Sequence, residues 1–235
     1  MTEALQSLIE TDRAATLAIN GSNSIFWDGV ASLYTETYVW APLALIAMYL
    51  IMRNITPRRI LLVLFMIAIV VLICDQVSSG IFKPMFHRLR PTRDTEILHL
   101  VDTVNGYRGG LYGFFSGHAA ISLGIAVFMI WLVRELWFGI AVSFWALLNA
   151  LIRCYLGVHF VGDILVGMLF GALTGTIVYF LYLFLIRKDR KQHIYRDYLI
   201  LYTKTGFLRK DIYTFLCVLA GSFALILCGA CFEVC

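Results

Sequence analysis

Apolar residues run along this chain in long blocks separated by short polar segments, and six blocks approach the length of a membrane span. They cover about residues 38–52, 60–82, 116–133, 137–152, 162–186 and 212–231. A helix needs about 20 apolar residues to cross the hydrocarbon core. The pattern therefore predicts an all-α fold, a polytopic membrane protein built as a six-transmembrane-helix bundle. The second block is interrupted near its end by Asp75 and Gln76. Ahead of the first block the pattern changes. Leu5, Leu8, Ile9, Ala15 and Ile19 recur at helical spacing among polar residues, which predicts an N-terminal amphipathic helix lying in the membrane interface within residues 1–36. The first twenty residues lack the basic start and apolar core of a secretory signal. With no internal repeat, residues 1–235 read as one integral-membrane domain.

Composition agrees with the block pattern. Hydrophobic residues make up 60% of the chain, charged residues 14%, and the mean hydropathy is +0.82. A soluble domain of this length could not hide so much apolar surface. The formal charge of +4 is small, and no basic stripe with interleaved aromatics suggests a nucleic-acid partner. Cysteines 74, 154, 217, 228, 231 and 235 show no paired metal-binding spacing. Cys228 and Cys231 form a CxxC, read as small residues within an apolar helix rather than a redox pair.

Charge placement gives an orientation. Arg53, Arg58, Arg59, Arg134 and the basic residues between 187 and 210 fall on one side, twelve in all; Arg13, Lys83, Arg88, Arg90, Arg93, Arg108 and Arg153 fall on the other, seven in all. The side richer in Lys and Arg is expected to be cytoplasmic. Both termini then face outward, and residues 187–211 form a basic cytoplasmic loop against lipid headgroups. The polar outer segment 83–115 is long for a bundle connection, and long ordered loops are usually functional.

Three clusters of chemically capable residues fall on this outer side. The third cluster, between the fourth and fifth blocks, holds Arg153, His159 and Asp163. On a helix the i, i+4 spacing puts His159 and Asp163 on one face. A carboxylate there fixes the imidazole tautomer and leaves the other ring nitrogen nucleophilic. The same row continues as Gly167, Gly171 and Gly175, a face that lets a neighbouring helix approach closely. The second cluster is Ser116-Gly117-His118, which reads as a helix start. Ser116 is a good cap, the free amides around Gly117 suit an anion, and His118 is placed as a general acid. The first cluster, Lys83 to Arg90 followed by Pro91, supplies positive charge; with Arg153 it can surround the oxygens of a phosphoryl group. Pro91 is expected to stop the segment continuing as a helix.

Taken singly, each residue has an ordinary reading, a hydrogen-bonded bundle histidine or an arginine snorkelling to headgroups. Those readings do not explain the gathering of two histidines, an aspartate, a lysine and two arginines at one membrane face. Asp75, inside an apolar block, reads as the structural partner of a basic residue. His87, Arg88, Arg93, His99 and Arg108 read as loop or rim residues, and the loop from Thr92 to Phe115, with Tyr107 and Tyr112, as the entrance.

Lys83-x6-Arg90-Pro91, Ser116-Gly117-His118 and Arg153-x5-His159-x3-Asp163 resemble, in order and separation, the three motifs of the type 2 phosphatidic acid phosphatase superfamily. The resemblance covers residues 83–163 and the flanking helices. It implies a six-helix core with a metal-independent, cofactor-free site (the 83–115 loop included) facing the periplasm or exterior of the cell inner membrane. It implies His159 as nucleophile, Asp163 as its partner, His118 as acid and then base, and Lys83, Arg90, Ser116, Gly117 and Arg153 as phosphate binders. Family members act on phosphatidic acid, phosphatidylglycerol phosphate, undecaprenyl pyrophosphate or lipid A phosphates. Two positions depart from the motifs: Phe115 where Pro is usual, and Ile152 where Ser is usual.

The function expected is hydrolysis of a membrane lipid phosphate or diphosphate through a phosphohistidine, with the lipid and the oligomeric state left open. Two alternatives stand beside it. The same intermediate could pass its phosphate to a second lipid alcohol, or the basic face could belong to a non-enzymatic anionic-lipid binder or transporter. Vanadium-dependent haloperoxidases share the motifs but are soluble, which these apolar blocks exclude.

Overall fold

The computed structural model describes residues 3–22, 24–186 and 201–234. Among the described residues eight α-helices carry the chain: α1 Glu3–Ile19, α2 Ile25–Thr35, α3 Ala41–Asn54, α4 Pro57–Phe86, α5 Gly117–Val133, α6 Leu136–Tyr155, α7 Val161–Leu185 and α8 Arg209–Val234. No strand is present among the described residues. Most of the basic stretch expected at 187–211 lies outside them.

Local chemistry sets the boundaries. Pro57 opens α4 after an extended Thr56, a position where its missing N–H costs nothing. Glu135 caps α6, accepting the Phe138 amide at 2.6 Å. Ser116 caps α5, accepting the Ala119 amide at 3.4 Å. On the side expected to be cytoplasmic, Asn54 binds both Asp211 (2.9 Å) and the Leu208 amide (2.6 Å), tying the end of α3 to the start of α8.

Four helices, α4, α6, α7 and α8, are long and apolar enough to span a membrane; α2 and the α3 segment form a fifth candidate bent by 69°, and α5 is shorter at 17 residues. The chain is a multi-pass membrane protein. The apolar block expected at 38–52 thus has a helical forerunner, α2, within the segment expected to be interfacial. Ahead of it, α1 covers Glu3–Ile19.

Helix α5 lies at the centre, packed against α4, α6 and α7, while α8 packs on α2 and α3. Within a bilayer, burial between helices gains little from expelling water, so close packing decides the fit. The glycine row of α7 provides it. A Cβ on Gly171 would run into the Ala120 carbonyl of α5, and the backbones touch there because the side chain is absent. Away from the outer end the bundle fills with apolar side chains, including Met66, Val70, Phe128, Val133 and Phe138.

Candidate functional site

The outer end of the bundle differs in kind from this apolar core. Helix α4 loosens into a π-helical stretch over Gln76–Phe82 before ending at Phe86, a distortion often found at functional sites. His87, in the left-handed region with φ of 48°, ends the helix. The stop therefore comes four residues before Pro91, which instead opens a single 3-10 turn, Pro91–Arg93. Through the π stretch Lys83 is set against Ser79, its Nζ 3.3 Å from the Ser79 hydroxyl. The chain then returns in register, with Leu89 bridged to Tyr112 and the Arg90 amide bonded to the Leu111 carbonyl. The Arg90 guanidinium is steadied by the Tyr112 carbonyl, 3.2 Å from Nε.

A cavity of about 140 Å³ opens at this end. Lys83, Arg90 and Arg153 line it together with Gly117, His118 and His159. Tyr107, from the loop read as the entrance, closes one side. The volume is well below the roughly 300–1,000 Å³ of a drug-sized pocket, so it suits a headgroup fragment rather than a whole lipid. One larger cavity lies between helices and is lined by apolar residues such as Trp40, Met129 and Phe215, and another, beside α1, is lined by Asp12, Arg13 and Arg88 among apolar residues.

The three cations are conspicuous for what they lack. None makes an ion pair among the described residues. Arg153 is only 9% exposed, and its Nε has no hydrogen-bond partner among the described residues. An uncompensated buried charge costs several kcal/mol unless something pairs with it, so this guanidinium is poised for an anion. Asp75, expected to pair with a basic residue, does not. It hydrogen-bonds Gln76 and Ser79 and lines the same cavity.

Ser116 and Asp163 stand behind the lining. The Ser116 side chain is spent on the α5 cap, while its amide donates to the Asp163 carbonyl at 3.0 Å, joining the starts of α5 and α7. Gly117 and His118 contribute amides that no described group accepts. His159 does not lie on a helix with Asp163, contrary to the spacing argument. Helix α7 starts only at Val161, with Phe160 as its extended N-cap, and Gly157 turns the chain just before. The pair meets across the cap instead, with His159 Nδ1 3.5 Å from Asp163 Oδ2. That is a contact, longer than a hydrogen bond, and Nδ1 has no hydrogen-bond partner among the described residues. Gly113 packs beside the gap: a Cβ there would sit 2.9 Å from Asp163 Oδ2. Burial pushes the His159 imidazole below the ordinary histidine value, and Asp163 opposes this only in part. The ring is thus neutral near pH 7. With Nδ1 turned to Asp163, its Nε2 edge is left for the cavity.

The carboxylate is held by two donors. Oδ2 accepts the Phe160 amide at 3.0 Å, and Oδ1 accepts Arg88 Nη1 at 2.8 Å. Arg88, read from the sequence as a rim residue, is therefore bonded directly to Asp163. Its other terminal nitrogen reaches Asp12 on α1 at 2.6 Å, and its guanidinium lies 4.2 Å over the Phe160 ring. Nothing in the local pattern distinguishes Arg88 from Arg93; only the fold brings residues 12, 88 and 163 together. His87, Arg93, His99 and Arg108 do not line the cavity. Phe115, standing where the resemblance leads one to expect Pro, is fully buried against Phe82 and Phe170.

Among the described residues no group of three or more His, Cys, Asp or Glu could hold a metal ion. Positive charge at the cavity comes from side chains.

A family model described as the PAP2 superfamily matches residues 59–187, more than half of the chain. The chain belongs to the PAP2 superfamily. Two relatives are named lipid A 4'-phosphatase. That of Bacteroides thetaiotaomicron is 36% identical over 178 residues, 75% of this chain and 79% of that protein. That of Porphyromonas gingivalis is 32% identical over 182 residues, covering 77% and 76%. Among solved structures, the PAP2-type phosphatidylglycerolphosphate phosphatase from Bacillus subtilis is similar with a TM-score of 0.55. It is 22% identical, over 82% of this chain and 90% of that one, and speaks for the fold. Family and architecture together make this chain a membrane lipid phosphatase of the PAP2 superfamily.

Proposed function

We propose that this PAP2 phosphatase removes a phosphate monoester from a glycolipid of the lipid A type, through a phosphohistidine on His159. The observation that carries the reading is the unpaired, buried Arg153 beside Lys83 and Arg90, facing the cavity that His159 also lines. The kinship with two lipid A 4'-phosphatases supports the substrate.

In this reading the phosphate enters the cavity and its oxygens are held by Lys83, Arg90, Arg153 and the open amides of Gly117 and His118, with Ser116 holding that helix start in place. The neutral Nε2 of His159 attacks phosphorus while the bond to the lipid oxygen breaks. His118 donates a proton to that leaving oxygen. Positive charge on His159 grows as the P–N bond forms, and Asp163 stabilises it by closing the 3.5 Å gap at Nδ1. Water then attacks the phosphohistidine, His118 takes its proton, and inorganic phosphate leaves. No step requires a metal.

Topology follows the same reading. The bent α2–α3 unit and α4 to α8 make six spans, with α5 counted because it is packed on three sides by spanning helices. The site faces the periplasm or exterior of the inner membrane, and α1 lies in the interface beside it.

The test is a phosphate-release panel over lipid A, phosphatidic acid, phosphatidylglycerol phosphate and undecaprenyl pyrophosphate, with and without chelator, and with His159→Asn as blank. Lipid A is expected to be turned over fastest, with chelation leaving the rate intact. Preference for the diphosphate would refute the substrate. Release by His159→Asn at the wild-type rate would refute the mechanism, and a phosphorylated second lipid in place of free phosphate would mean transfer.

A further inference from the structure

Helix α1 reaches the site from outside the matched motifs and makes more polar contacts there than a surface helix needs. Asp12 Oδ1 accepts the Gly162 amide at 2.7 Å and the Thr16 hydroxyl accepts the Val161 amide at 3.1 Å. These are first-turn donors of α7, the helix that carries Asp163, and such donors have no partner within their own helix. Two side chains of α1 therefore cap α7 in trans. Asp12 Oδ2 also grips Arg88 at 2.6 Å, and Arg88 grips Asp163 at 2.8 Å. The guanidinium is held from both sides and by the Phe160 ring beneath it. Further along, Arg13 pairs with Asp94 (2.9 Å) and with Glu96, and Asn20 bonds the Asp102 and Tyr155 backbones, fastening α1 to the outer loop.

We propose that Asp12 and Arg88 are positioning residues of this phosphatase: Asp12, acting through Arg88, holds the Asp163 carboxylate at the distance from His159 that the nucleophile requires. This rests on the reading of His159 as nucleophile and Asp163 as its partner. Asp163 has two acceptor oxygens and two fixed donors, the Phe160 amide and Arg88. Without Asp12 the guanidinium can swing outward, since it is already partly exposed at 27%. Asp163 then keeps one donor, and its Oδ2–Nδ1 alignment is no longer fixed. Neither residue lines the cavity, so phosphate binding is expected to be untouched.

The experiment compares wild type, Asp12→Asn, Arg88→Lys and His159→Asn, full-length in detergent, for kcat, KM and thermal unfolding. Arg88→Lys retains a cation that can reach one carboxylate but not both in fixed geometry. For both positioning variants kcat is expected to fall by about 10- to 100-fold, the size of effect that a misplacement of about 1 Å produces, while KM stays within about 3-fold. Combining Asp12→Asn with Asp163→Asn separates positioning from general support: the residual activity of Asp163→Asn should fall no further. Wild-type kcat in either variant, a full additional loss on the Asp163→Asn background, or a kcat loss that only follows loss of folded protein would overturn the proposal. An active His159→Asn would instead sink the underlying mechanism, so the two failures can be told apart.

Discussion

Two helices begin at the same site and treat their N-termini in opposite ways. At the start of α5 Gly117 and His118 line the cavity, their amides have no acceptor among the described residues, and Ser116 caps Ala119. At the start of α7 three successive donors are taken: Phe160 by Asp163, Val161 by Thr16 and Gly162 by Asp12. A helix N-terminus attracts anions through its free donors and its dipole. In α7 the protein fills that site with its own oxygen atoms, which orders Asp163 behind His159. In α5 the site is left open beside three unpaired cations. In the proposed mechanism the difference separates holding the nucleophile from holding the substrate.

The largest effect is expected where the two helix starts are held together. Gly171→Leu would force α5 and α7 apart at the Ala120 carbonyl. Overpacking of a close contact of this kind costs roughly 1–3 kcal/mol or more, and little folded protein is expected by size-exclusion chromatography in detergent. Next comes the open side. Arg153→Gln should lower kcat/KM by about 10³-fold, the order seen for loss of a charge-stabilising group, measured by phosphate release. Its thermal unfolding midpoint should not fall, because the variant also removes an unpaired buried charge. The pH profile sharpens the comparison without altering either start. Because the His159 value is lowered by burial, its lone pair survives below the ordinary histidine pKa of about 6.5 and is lost only as pH falls through the lowered value. The acid limb of kcat/KM should therefore lie below that point, and an acid limb above it would contradict a neutral, buried nucleophile. The smallest effect is expected at the cap. Ser116→Ala should cost about 1 kcal/mol of stability, as cap removal usually does, with activity reduced no more than about 10-fold, read from unfolding and phosphate release together.

Much of this division could be read along the chain, and the missing parts have physical reasons. Apolar runs located the helices because a bilayer demands length and hydrophobicity before anything else. The row Gly167, Gly171, Gly175 announced the α5–α7 contact, since small residues at that spacing form one face. Ser116 ahead of an apolar run announced the α5 cap. Spacing misled at His159. A separation of four suits one helical face, yet here it straddles a helix start, and Asp163 three residues after Phe160 was the available signal of an N3 carboxylate. Asp12 and Arg88 lay beyond reach because their partners are 76 and 75 residues away along the chain, and charged residues on an amphipathic helix ordinarily face water. The bend between α2 and α3 escaped because the charged Asp28 and Glu36 broke up the apolar run.

In the proposed mechanism His159 carries the phosphate between two steps. The most direct measurement is rapid acid-free quenching of the enzyme with substrate labelled at the phosphate, followed by isolation of the denatured protein in alkali. Label bound to the protein in a linkage stable to alkali and released by acid, present in wild type and absent in His159→Asn, is the result predicted. A wild-type enzyme that turns over the same substrate while the linkage persists in His159→Asn, or resides on another residue, would contradict it.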